Sequence, residues 1–258
     1  MNFETLDVER DGPVLRAWLN RPERRNALDT ATLEEIATLF TTVQADFAAR
    51  VVVLGGRGPS FCAGADRRDP PGSARMRAAS GASDRERRYM AQLGLRACQA
   101  IENAEAITIA RIHGHAIGGG FALALACDFR VAARDAILHV PEVDLGVPLT
   151  WGATPRLIHE VGAARARELI LLCDRIDAER AERWGLLHRA VPADELDALV
   201  HDWSKRLAAK PELAVHMTKT QLRAYARRAA LGDVSETDGD LLMAASRTGP
   251  ARQSFRGE

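Results

Sequence analysis

The sequence predicts an α/β fold with a layered core and a helical C-terminal part. Three observations lead there. Continuous apolar runs such as Val51-Val52-Val53-Leu54 read as strands buried on both faces. Up to about residue 150 such runs alternate with helical patterns, which is the signature of strands covered by helices. From about Gly152 onward helical segments dominate, and the one convincing strand lies near Leu187–Val191.

Taken in order, Asn2–Arg10 and Val14–Leu19 read as two strands joined by the turn Asp11-Gly12-Pro13. A polar loop follows at 20–26. Asp29 or Thr30 caps a helix to about Ala49, with Leu33, Ile36, Ala37, Phe40 and Val43 on one face. The strand at 51–54 ends in Gly55-Gly56. Residues 67–83 are rich in Pro, Gly, Arg and Ser and read as a mobile loop. Asp84 to about Asn103 is helical, Ala106–Ile112 a buried strand, Gly114 to Gly120 a glycine-rich turn and Phe121–Ala126 a short apolar helix. Phe129–Ala133 and Ala136–Val140 read as strands. Four or five helices complete the chain, one of them the Arg- and Ala-rich helix 212–231.

Composition narrows the function. Basic and acidic residues number 35 each, so no global field draws nucleic acid or an anionic membrane. No apolar run approaches the ~20 residues that span a bilayer. Glu4, Asp7 and Glu9 near the start are unlike a signal or transit peptide, so a cytoplasmic protein is expected. Cys62, Cys98, Cys127 and Cys173 lie far apart and are expected as free, mostly buried thiols. Histidines and acids do not cluster at ligand spacing, so no metal is expected.

Three segments carry chemistry. Small residues in Ser60-Phe61-Cys62-Ala63-Gly64-Ala65-Asp66 let a ligand approach the backbone. Gly118-Gly119-Gly120 opens a helix, leaving unobstructed amides at the positive end of its dipole, a setting for an oxyanion. It has neither the spacing of a dinucleotide loop nor that of a phosphate loop. In His139-Val140-Pro141-Glu142 a carboxylate meets apolar neighbours, which raise its pKa towards the range useful for moving protons. Each segment taken alone also suits an ordinary turn, a packing contact or a surface acid.

In order and spacing these segments, with Asn20-Arg21-Pro22-Glu23-Arg24-Arg25-Asn26-Ala27-Leu28, Ala126-Cys127-Asp128, Pro155-Arg156-Leu157, Ala178–Gly185, Val191-Pro192 and Lys210-Pro211, resemble the enoyl-CoA hydratase/isomerase (crotonase) superfamily over nearly the whole chain. The resemblance implies a crotonase-like spiral of stacked ββα units over 1–195 and a C-terminal helical region over 196–258 for packing and oligomerisation. It implies a homotrimer or homohexamer acting on an acyl-CoA substrate in fatty-acid or related acyl-CoA metabolism. Coenzyme A enters as part of the substrate and no cofactor is tightly bound. The amides of Ala65 and Gly119 would form the oxyanion hole beside Gly118. The loop 24–28, with Arg24, Arg25 and Ala27, and Ala63, Gly64 and Asp66 would line the path of CoA. Arg24, Arg25, Arg67 and Arg68 are candidates for its phosphates. Trp151 either walls the acyl pocket or is a plain core tryptophan.

One departure decides the expected reaction. Hydratases that the chain resembles use two glutamates. Glu142 matches one, but Ala122 stands at the other. A single carboxylate suits proton transfer within an enoyl-CoA, as in isomerases, with Glu142 as the shuttle. Hydration is the alternative, with Asp144, His139 or His115 as substitute acids, and a non-catalytic acyl-CoA binder is a second. Ala122 and Thr150 stand where dienoyl-CoA isomerases would place extra acids. His113 replaces a customary Asn, and Arg111 a small apolar residue.

Overall fold

The computed structural model describes residues 2–72, 83–229 and 235–245. Two sheets organise the chain. The larger has six strands, β1 (Leu6–Asp11), β2 (Val14–Leu19), β3 (Val51–Gly56), β4 (Ile107–Ile112), β6 (Phe129–Ala133) and β9 (Arg189–Val191), in that spatial order. β1 and β2 form an antiparallel hairpin, and every later pairing in this sheet is parallel. The smaller sheet joins β5 (His115–Ile117), β7 (Ile137–His139) and β8 (Ile176–Asp177).

Helices close each turn of chain. α1 (Thr30–Val43) follows the hairpin, α2 (Asp84–Ala91) and α3 (Leu93–Asn103) follow β3, α4 (Gly119–Ala126) follows β5, and α5 (Ala153–Leu172) follows β7. These are the stacked ββα units of a crotonase-type spiral. α6 (Ala178–Arg183) lies between β8 and β9, and α7 (Leu196–Ala208), α8 (Glu212–Ala229) and α9 (Asp238–Ala245) make the helical C-terminal region. No helix among the described residues is long and apolar enough to cross a membrane.

The elements follow from their side chains. In β3 all six residues are buried, because α1 and α3 cover one face and α7 the other. Leu196 and Val200 of α7 pack with Val14, Val51, Val53, Ile109 and Val131, so the helix sits on the outer face of the main sheet. α1 starts where the Asp29 carboxylate accepts Thr32 N–H at 2.9 Å. It buries Leu33, Ile36, Leu39, Phe40 and Val43. It ends six residues before the expected Ala49, because Ala45 and Asp46 donate to Thr42 and Val43 in tight turns and the Asp46 side chain takes Ala48 N–H.

Other boundaries move for similar reasons. β1 starts at Leu6 rather than Asn2, since Glu4 and Thr5 turn their amides to the Glu35 carboxylate. The expected helix 84–103 is divided at Gln92, whose side chain donates to Glu236 O at 2.9 Å. The first part of the glycine-rich segment is a strand, β5, paired with β7 and bridged to Cys62. The expected loop 67–83 and helix 212–231 are described only in part. Residues 73–82 and 230–231 lie outside the described residues. The four cysteines are free and buried.

Candidate active site

The site is assembled from backbone outward. The segment 61–66 is clamped on both sides. Phe61 and Cys62 donate to the carbonyls of His113 and His115, and Ile117 donates back to Cys62 O. On the other side Ala63 donates to Arg25 O at 3.0 Å, Leu28 to Gly64 O at 2.8 Å, and Asp66 to Leu28 O at 2.8 Å. The pairing takes the Leu28 amide and carbonyl and passes over the Ala65 amide. Gly64 holds φ +92, and a Cβ there would stand 2.8 Å from Ile117 O and 3.7 Å from Gly119 N. The two glycine-bearing segments therefore meet backbone to backbone, which side chains would forbid.

Gly119 is the first residue of α4, and the first intrahelical bond runs from Ala122 N to Gly118 O. The Gly119 amide thus belongs to the unpartnered first turn of a helix. Gly118 adopts φ +51, where a Cβ would lie 2.9 Å from Glu142 Oε1. That places the carboxyl of Glu142 directly beside the start of α4.

Glu142 follows β7 in a turn whose carbonyl accepts Leu145 N–H at 3.1 Å and Val147 N–H at 3.0 Å. Its Oε2 is shielded from solvent and makes no hydrogen bond. Burial raises its pKa from 4.5 to about 7, offset only in part by its own amide. An acid with a shielded, unpartnered oxygen and a pKa raised towards neutrality has the chemistry to exchange a proton near neutral pH.

These groups line a cavity of about 660 Å³. Its wall is mostly apolar, with Met90, Leu145, Val147, Leu149 and Trp151 joined by Leu242 and Met243 from α9, and it also carries Arg67, Arg87 and Thr150. Among its described lining residues Glu142 is the single carboxylate, and Ala122 presents a methyl group to the same space.

Of the residues singled out in the sequence, Ala63, Gly64, Ala65, Arg67, Gly118, Gly119, Glu142 and Trp151 lie in that wall, and Arg24, Arg25, Ala27 and Asp66 do not. Arg25 is exposed in a left-handed conformation. The Ala27 carbonyl accepts from the Arg21 guanidinium. Asp66 is buried within its loop, where it accepts from Arg68 N–H at 3.0 Å and Asp69 N–H at 3.3 Å and pairs with Arg21 and Arg24 at 3.1 and 3.4 Å. Burial alone would raise its pKa, but the two amides and the two guanidinium groups outweigh that and hold it below the usual range. Arg68 is exposed beside it.

The substitute acids lie elsewhere. Asp144 is exposed, His139 Nε2 is bonded to Cys173 O at 2.8 Å, and His115 Nδ1 to Ser60 Oγ at 2.9 Å. His113 and Arg111 support the scaffold: His113 bridges Gly58 O and Arg111, which pairs with Asp197 at 2.6 Å. Burial lowers the His113 pKa.

Seven residues in three groups were not singled out beforehand. Asn26, buried at φ +56, donates through Nδ2 to Arg57 O at 2.8 Å and Ser60 O at 2.7 Å, stapling the 21–28 loop to the 57–62 segment. Arg87, Met90, Ala91 and Gly94 line the cavity at helical spacing across α2 and α3. Leu242 and Met243 come from the far C-terminal region, and no local pattern in the sequence joins them to the cavity.

A family model described as enoyl-CoA hydratase/isomerase matches residues 9–256. Over 244 residues the chain is 35% identical to a crotonyl-CoA hydratase of Syntrophomonas wolfei subsp. wolfei, covering 94% of this chain and 87% of that protein. It is 38% identical over 196 residues to a probable enoyl-CoA hydratase of Rhizobium meliloti, covering 76% and 72%. The crystal structure of an enoyl-CoA hydratase from Mycobacterium avium subsp. paratuberculosis superposes with a TM-score of 0.88 at 26% identity over 99% of both chains. The chain belongs to the enoyl-CoA hydratase/isomerase, or crotonase, superfamily, whose members are enzymes of acyl-CoA thioesters.

Proposed function

We propose that this enzyme moves a proton within an enoyl-CoA thioester, as an isomerase does. Glu142 is the single acid/base, and the amides of Ala65 and Gly119 hold the thioester oxygen. The observation that carries this reading is the Glu142 carboxyl itself, shielded, unpartnered at Oε2 and raised to about 7, in a cavity with no second acid among its described lining residues. In the forward step Glu142 takes a proton from carbon. The electron pair moves onto the thioester oxygen as an enolate, where two fixed amide dipoles offset the charge. The same carboxyl then returns the proton at a second carbon and regenerates the carboxylate. The apolar side chains around Glu142, among them Leu145, Val147 and Trp151, limit the access of water to the enolate. No metal or tightly bound cofactor is required by this sequence of steps.

CoA would run along the 24–28 loop and Ala63–Asp66. Arg67 in the cavity wall, with Arg68 next to it and Arg24 and Arg25 on the loop paired with Ala63–Asp66, would meet its phosphates. A second reading is hydration of a 2-enoyl-CoA, which the names of the relatives favour. It would need a second acid where Ala122 stands. We also infer a trimer or hexamer. Leu213, Met217, Leu222 and Tyr225 of α8 are exposed, Leu213 by 72%, and such apolar surface marks an interface. Light scattering that gives a monomer would refute this assembly.

Glu142→Gln tests the reading. The amide keeps the shape but cannot accept the proton. Turnover should disappear while the affinity for a saturated acyl-CoA stays within about threefold, a difference under 1 kcal/mol. A variant that retains most of its turnover would mean that another group carries the proton.

A further inference from the structure

Trp151 holds an improbable position. Its φ is +61, and Gly152 after it is also left-handed at φ +66. A bulky L residue keeps such a backbone only where its surroundings fix it. The indole ring occupies the space that side chains at two glycines would need. A Cβ on Gly94 would lie 1.9 Å from Trp151 Cε2, and one on Gly119 2.4 Å from Trp151 Cζ3. The ring is thus wedged between α3 and the start of α4, against the residue whose amide faces the substrate oxygen. Its edge also lines the acyl cavity.

Two contacts secure this pair. Arg156, paired with Glu102 at 2.5 Å, donates from Nη1 to Trp151 O at 3.0 Å. Gly152 N–H donates to Asp238 Oδ2 at 2.6 Å, across 86 residues of sequence. Asp238 opens α9, which is itself fixed to the cavity's other wall. Arg88 of α2 pairs with Asp240 at 3.0 Å, and Gln92 holds Glu236 O at 2.9 Å. The same helix contributes Leu242 and Met243 to the cavity.

We propose that Asp238 is a positioning residue: by holding the Gly152 amide it fixes Trp151 against Gly119 and so sets the wall that receives the acyl chain. The inference rests on the reading that acyl-CoA occupies this cavity. It makes acyl selection depend on a contact between the C-terminal helix and the α/β core of one chain.

Calorimetric binding of CoA, butyryl-CoA and hexanoyl-CoA tests it without any turnover. The series comprises the wild type, Asp238→Ala, Asp238→Asn, Trp151→Ala and the double variant Asp238→Ala/Trp151→Ala. Loss of a charge-assisted hydrogen bond should weaken hexanoyl-CoA by about tenfold. CoA itself should change by less than about twofold on the same scale. Asp238→Asn keeps an oxygen acceptor for Gly152 and should restore most of the acyl affinity, which also separates the latch from a folding defect. In the Trp151→Ala background, Asp238→Ala should add almost nothing, because one acts through the other. Equal losses for CoA and both thioesters, or losses that multiply in the double variant, would overturn the proposal. If Glu142→Gln stays active while these couplings hold, the proton-transfer reading fails and the latch stands. Wild-type protein that binds neither thioester would overturn the site and the latch together.

Discussion

Replacing Glu142 by Gln should make the protein more stable at high pH and leave it unchanged at low pH. The reason is linkage. Burial raises the folded-state pKa of Glu142 from 4.5 to about 7. Between those values the folded chain keeps a proton that the unfolded chain has released, so stability falls as pH rises through the window. Below 4.5 both states are protonated and the penalty vanishes. Above about 7 both are ionised, and the folded state bears the whole cost of a buried carboxylate with an unpartnered oxygen. At about 1.36 kcal/mol per pH unit the full penalty is about 3 kcal/mol, an upper figure that any water entering the cavity reduces. Gln carries no charge and escapes it. Urea melts of both proteins at intervals from pH 4 to pH 8.5 read the difference directly. The stability gap should open between pH 4.5 and 7 in favour of the variant. A gap that is constant over that range would mean that Glu142 titrates like an exposed acid, and the argument for its role would lose its basis.

Three further outcomes are expected. Gly119→Ala puts a methyl group on the Trp151 ring, 2.4 Å from Cζ3, so the ring or the start of α4 must move. Steady-state kinetics should show kcat reduced by at least about a hundredfold, the typical cost of losing one oxyanion donor. Ala122→Glu places a second acid in the cavity wall, and initial rates of 3-hydroxyacyl-CoA formation should rise; no gain would mean that more than one group separates this site from a hydratase. Asn26→Ala leaves Arg57 O and Ser60 O without their donor and replaces a residue held at φ +56. Urea unfolding should show a loss of about 2–4 kcal/mol.

Much of the fold is legible in the sequence because its strands are simple. β2 and β6 begin and end where their apolar runs do, and β3 is apolar because helices cover both of its faces. What escapes is set by tertiary contacts. β5 and β8 are three and two residues long, too short to show a period, and exist because β7 lies between them. In the candidate site the glycines and Glu142 stand out, since close backbone approach and an acid among apolar neighbours leave marks in local sequence. Asn26 does not, because its role depends on carbonyls 31 and 34 residues away. Nor does the path from Asp238 to Trp151, which runs through the Gly152 amide 86 residues away. Asp66 shows the converse: a carboxylate in the right segment can be taken up by its own loop amides and by Arg21 and Arg24.

The proposed chemistry has one carboxyl shuttle a proton while two amides hold an enolate. It is tested most directly by incubating the protein with 2-enoyl-CoA and 3-enoyl-CoA in deuterated water and weighing the products by mass spectrometry. Interconversion of the double-bond isomers without the added mass of water is the predicted result. Rapid formation of 3-hydroxyacyl-CoA, with no isomer exchange, would contradict it.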